Sequence, residues 1–79
     1  MKAYERLLAL ENHHLEVFNN SLGLCVLYQG GDILEYPCRK TEFGTGRNFE
    51  EACEDYLNKI SGKRLVFGYG ENREEITVL

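Results

Sequence analysis

The chain has 79 residues, 43% of them hydrophobic and 28% charged, with a single proline and a net charge of −4. At this length only about 60% of the unfolded surface can be buried, which excludes a second core and leaves one domain around one modest cluster. The mix of apolar and charged residues excludes a disordered chain, and the negative balance opposes generic binding to the phosphates of nucleic acid.

The longest apolar run, Leu22 to Tyr28, is broken by Gly23 and falls far short of the roughly 20 residues a membrane helix requires. Glu5, Arg6 and Glu11 interrupt any signal-peptide core at the start, so the expectation is a cytosolic protein with no membrane association. Cys25, Cys38 and Cys53 are odd in number and widely spaced, which suits unpaired thiols in a reducing compartment. A metal site would need them to converge with His13 or His14, yet no C-x-x-C or H-x-x-x-H pair presets any two. No cofactor is expected.

In chain order, Ala3, Tyr4, Leu7, Leu8 and Leu10 recur at helical spacing and predict a first helix from Lys2 to about Asn12, or to Phe18 on an alternative reading. With the shorter helix, the following HHLEVF reads as a short strand. Asn19, Asn20 and Ser21 turn the chain into LGLCVLYQ, a strand apolar on both faces and therefore central or covered. Gly30-Gly31 then predicts a tight hairpin in which Leu24 to Gln29 pairs antiparallel with Ile33 to Cys38. Pro37 places the end of that strand at an edge or outside the ladder, Arg39 to Glu42 is polar, and Phe43 to Gly46 forms a third short strand.

A second helix has the most consistent signals. Asn48 is its cap, with Glu51 three residues on, and Phe49, Ala52, Cys53, Tyr56, Leu57 and Ile60 form its buried stripe. Glu50, Glu51, Glu54, Asp55, Asn58 and Lys59 face water, and Gly62 ends the helix. Lys63 to Tyr69 and EEITVL then close the domain as a β-hairpin. The predicted fold is α+β: helix, antiparallel sheet of about three strands, amphipathic helix, hairpin.

Catalysis finds little footing. Gly44-Thr45-Gly46 before a helix suggests a phosphate loop, but Phe49-Glu50-Glu51 would repel phosphate at the helix start. A cysteine nucleophile would need His13 or His14 nearby, and Cys25 and Cys53 sit on core faces where a thiol stays protonated. The feature with functional content is the acidic face Glu50, Glu51, Glu54 and Asp55, extended by Glu71, Glu74 and Glu75. Its like-charge i,i+4 pairs each cost a few tenths of a kcal/mol in isolation, and a basic protein surface would relieve them.

The stretch GTGRNFEEA resembles part of the double-stranded RNA-binding domain, with Gly44, Gly46 and Ala52 at matching positions and Asn48 in place of a serine cap. Phe49, Glu50 and Cys53 stand where that family grips phosphate with lysines, so the resemblance implies a related topology without RNA binding. The first forty residues are similar to the start of small phage-associated metallopeptidases but lack H-E-x-x-H. RNFEEACEDYLNKISGKRLVF resembles small proteins of phages and prophages of Gram-positive bacteria, over about residues 44–67. That resemblance implies a phage-type accessory factor or inhibitor, anti-CRISPR proteins among them, acting on host machinery. The combined expectation is a non-enzymatic module in the bacterial cytoplasm that binds a basic protein surface. The alternative is a homodimer formed through an exposed strand, either Glu74 to Leu79 or Ile33 to Cys38; a third reading is a degenerate RNA-binding-domain-like module.

Overall fold

A computed structural model describes residues 2–9, 15–35 and 37–78. It is an α+β fold of two helices and two antiparallel sheets. Helix α1 (Lys2–Leu8) buries Ala3 and Leu7, which lie one turn apart on the same face. Tyr4 meets Phe49 edge-on with ring centroids 5.1 Å apart. The expected helix end near Asn12 lies outside the described residues, as do His13 and His14.

Strands β1 (Glu16–Asn19) and β2 (Cys25–Tyr28) form the first hairpin. The Asn20 side chain organises its turn by accepting from the Leu22 and Leu24 amides at 2.9 and 3.0 Å. Strand β5 (Gly44–Gly46) pairs with the other side of β2, giving the order β1-β2-β5. As expected of an apolar run without alternation, β2 is central, and Cys25, Val26 and Leu27 are all buried.

The second sheet has the order β4-β3-β6-β7, from β3 (Asp32–Glu35), β4 (Cys38–Thr41), β6 (Arg64–Phe67) and β7 (Glu74–Thr77). Here the expected pairing across Gly30-Gly31 is wrong. Both edges of β2 are occupied by β1 and β5, so no ladder position is left for β3. Gly30, at φ +86, instead turns the chain out of one sheet and into the other. At Gly31 an added Cβ would stand 2.7 Å from the Phe67 ring, so the second glycine serves packing between elements. β3 pairs instead with polar β4, and Pro37 lies beyond the last pair, Glu35 with Cys38. Because β3 lies between β4 and β6, the segment Ile33 to Cys38 offers no free edge through β3 for a second copy.

The closing hairpin forms as expected and joins β3 through Leu65 opposite Ile33 and Val66 opposite Asp32. Helix α2 (Phe49–Ile60) packs on β5 and β2, and its buried side chains share one core with Leu27, Ile33, Leu65, Phe67 and Val78. Two backbone bonds, Gly62 to Val78 and Val78 to Lys63, fasten the end of the second sheet to the loop after α2.

Candidate functional site

Helix α2 begins where its sequence says it must. Asn48 has extended backbone, and its side-chain oxygen accepts from the Glu51 amide at 2.9 Å. The reciprocal half of the capping box reaches one residue further back than expected: the Glu51 carboxylate accepts from the Arg47 amide at 3.2 Å. The Arg47 guanidinium closes on the same carboxylate, with Nη2 to Oε2 at 2.9 Å. These bonds from the Arg47 side chain, then from its amide, hold the Glu51 carboxyl below the usual carboxylate range.

The two glycines of β5 let α2 approach its backbone. At Gly46 an added Cβ would lie 2.6 Å from the Ala52 amide nitrogen, and at Gly44 it would collide with the Ala52 carbonyl. These are packing glycines, not a phosphate cradle. With the helix this close, Asp55 accepts from the Thr45 amide at 2.9 Å and pairs with Lys59 at 3.0 Å. Lys59 also donates to the Phe43 carbonyl at 2.9 Å. Burial pushes the Asp55 carboxyl up, but the Thr45 amide and the Lys59 ammonium outweigh it, so the group titrates below its ordinary value.

The seven acids predicted as a partner surface therefore divide by role. Glu51 and Asp55 are engaged inside the domain, one at the helix cap and the other at the outer edge of β5. Glu50 and Glu54 are exposed, and among the described residues neither has an ion pair. Glu71 lies in the short 3-10 turn Gly70–Asn72, while Glu74 and Glu75 lie on β7 in the second sheet. Glu75 is paired with Arg73 at 2.8 Å and Arg64 at 3.5 Å. The surface is thus contributed by three separate elements, α2, the 3-10 turn and β7, and on α2 Glu50 and Glu54 are its part without an ion pair among the described residues.

No protein-family model, curated protein or solved structure matches this chain. Its chemistry has to be read from its own side chains. Among the described residues no three of His, Cys, Asp and Glu gather into a metal-binding group. Cys25 and Cys53 are buried, Cys38 is exposed, and burial pushes the Cys53 thiol up to about 11. The histidines proposed as bases lie outside the described residues. A shallow cleft of about 330 Å³ is lined by Ile33 and the charged groups Glu35, Lys40, Glu42, Lys59 and Lys63. Lys40 and Glu42 pair there at 3.2 Å, and Lys59 is already engaged with β5. No described helix is long and apolar enough to cross a membrane.

One surface escaped the sequence reading. Register places Phe18 opposite Val26, on the face of the first sheet turned away from α2. On that same face the Tyr28 and Phe43 rings stand 5.1 Å apart. Phe18 is 50% exposed and Leu22, in the adjoining turn, 81%. The adjacent apolar pair Val17-Phe18 was the available signal, since alternation puts one of the two on each face of a strand.

Proposed function

We propose that this protein is a non-enzymatic protein-binding module that presents the outer face of α2 to a basic surface of a nucleic-acid-handling partner. The observation that carries this reading is the pair Glu50 and Glu54, exposed one turn apart and, among the described residues, without an internal cation. Their neighbours Glu51 and Asp55 have their charges satisfied by Arg47 and Lys59. The residual like-charge repulsion falls on the two side chains that point outward, where a partner's lysines or arginines relieve it. Glu71 and Glu74 add negative charge elsewhere on the surface and raise the encounter rate through the general field.

The resemblance of residues 44–67 to phage and prophage proteins supports an accessory or inhibitory role in a bacterial cytoplasm, of the anti-CRISPR or another anti-defence kind. A double reversal, Glu50→Lys with Glu54→Lys, leaves the Arg47–Glu51 cap and the Asp55–Lys59 contact in place. Wild type and variant are compared as baits in bacterial lysate at low salt, followed by titration of any recovered protein with purified components. The expected result is a partner retained by wild type, released by added salt and lost by the variant. Equal recovery by both proteins refutes the reading.

A further inference from the structure

Four strands form the outer edges of the two sheets, and three of them are guarded. On β5 the Asp55 carboxylate takes the Thr45 amide and Lys59 covers the Phe43 carbonyl. Edge strand β4 starts at Cys38, directly after Pro37, and carries Arg39 and Lys40, and β7 opens with Glu74 and Glu75. Charge and proline on edge strands discourage pairing with another chain. Among the described residues, β1 has neither protection along its middle: Val17 and Phe18 are 47% and 50% exposed.

The hydrogen-bonding phase of β1 follows from its hairpin. The Asn20 amide donates to the Leu24 carbonyl, so by antiparallel alternation Phe18 and Glu16 bond toward β2. Val17 and Asn19 consequently turn their amides and carbonyls away from β2, to an edge that no described strand occupies. The opposite side of the sheet agrees, because Thr45, paired in register with Val26, directs its amide outward to Asp55.

We propose that the β1 edge docks a second copy of this chain, antiparallel about a twofold axis at Phe18, so that two three-stranded sheets become one continuous sheet. The strand is self-complementary in that register. Val17 of each copy exchanges backbone bonds with Asn19 of the other, about four bonds in all, and Phe18 faces its own equivalent in the close, non-bonded position. Glu16 falls opposite Asn20 and not opposite another carboxylate. Centring the axis on Val17 instead would press Glu16 against Phe18 of the other copy, which places a charge on an apolar ring. In the favoured register the stripe of Phe18, Val26, Tyr28 and Phe43 continues into the second copy and covers the open side of Phe18. The short seam, about 14 Å long, makes the dimer weak and dependent on concentration.

Each chain carries a net charge of −4, so salt screens their repulsion and strengthens this contact. That is opposite in sign to the proposed acidic-face binding, and the Glu50→Lys/Glu54→Lys variant retains the β1 contact. The test is sedimentation of the purified protein from about 10 µM to about 1 mM, which spans binding free energies of about −7 to −4 kcal/mol, those of a weak contact. The expected result is a dimer that grows with concentration and salt and that Val17→Lys weakens by roughly tenfold or more. A second readout places Phe18→Cys or Val17→Cys in a Cys38→Ser background, with circular dichroism confirming the fold. Mild oxidation should cross-link the Phe18→Cys protein, whose thiols face each other across the axis, and spare the Val17→Cys protein. A monomer throughout the range, a dimer indifferent to Val17→Lys, or cross-linking preferentially through Val17→Cys overturns the proposal.

Discussion

Replacing Gly44 by alanine adds one methyl group between β5 and α2. The new Cβ would overlap the Ala52 carbonyl oxygen and lie 2.5 Å from the Tyr56 Cβ and 3.1 Å from the Tyr56 amide nitrogen. Favourable contact begins near 3.5 Å, so the two elements must separate by roughly 1 Å. Neither yields easily, because most of the obstructing atoms are main chain or attached directly to it. β5 is held to β2 by Gly44 opposite Leu27 and to α2 through the Thr45 amide and the Phe43 carbonyl. Overpacking costs about 1–3 kcal/mol, and a rigid site belongs at the upper end, near 3 kcal/mol. Against the roughly 4–12 kcal/mol expected for a domain of this size, that is a quarter or more of the total. The melting temperature should fall by roughly 12–24 °C. Gly30→Ala is the control: its φ of +86 is strained for alanine but nothing stands within 4 Å, so about 1–2 kcal/mol is expected. Urea unfolding followed by far-ultraviolet circular dichroism measures both variants. A Gly44→Ala loss no larger than that of Gly30→Ala would refute the close-approach argument.

Arg39 donates to the Val66 and Gly68 carbonyls, pairs with Asp32 at 3.1 Å and lies 4.3 Å from the centroid of the Tyr69 ring. Arg39→Ala should cost about 2 kcal/mol in urea unfolding, and Arg39→Lys should recover little of it because an ammonium cannot reproduce the planar fork. Asp55 and Glu51 titrate below their ordinary values in the fold, so their stabilisation is present above the unfolded carboxyl pKa, near pH 4, and is lost as pH falls through the folded values. Asp55→Asn should flatten this acid limb in pH-dependent unfolding, and an unchanged slope would count against the assignment. Among the thiols, exposed Cys38 should react rapidly with a disulfide reagent in the native protein, while Cys25 and Cys53 react only on unfolding. A fast phase surviving in Cys38→Ser would contradict that order.

Helix α2 was legible because its signals are local: the Asn48 cap, the apolar stripe and Gly62 at φ +74 lie in one continuous stretch. The closing hairpin was legible for the same reason. The partner of β2 was not, since pairing is settled by which edges remain free once the whole chain is placed, and Gly30-Gly31 serves a hairpin or a change of sheet equally well. β4 was hidden because an edge strand keeps its polar side chains in water and shows no apolar alternation. In the acidic face, the pairing of Glu51 with Arg47 could have been read from i,i+4 spacing. The contact of Asp55 with Thr45 could not, because it exists only once two glycines bring helix and strand together.

Under the proposed β1 pairing, the Asp55–Lys59 cover over β5 would also set how far assembly can run. A sheet with one open edge pairs once and stops, giving a closed twofold particle, whereas a sheet open on both sides adds copies without limit. β5 and β1 are the two outer strands of the same sheet. In that assembly, removing both Asp55 and Lys59 would do more than loosen a helix: it would uncover the second edge of the sheet and take away what stops growth at a pair.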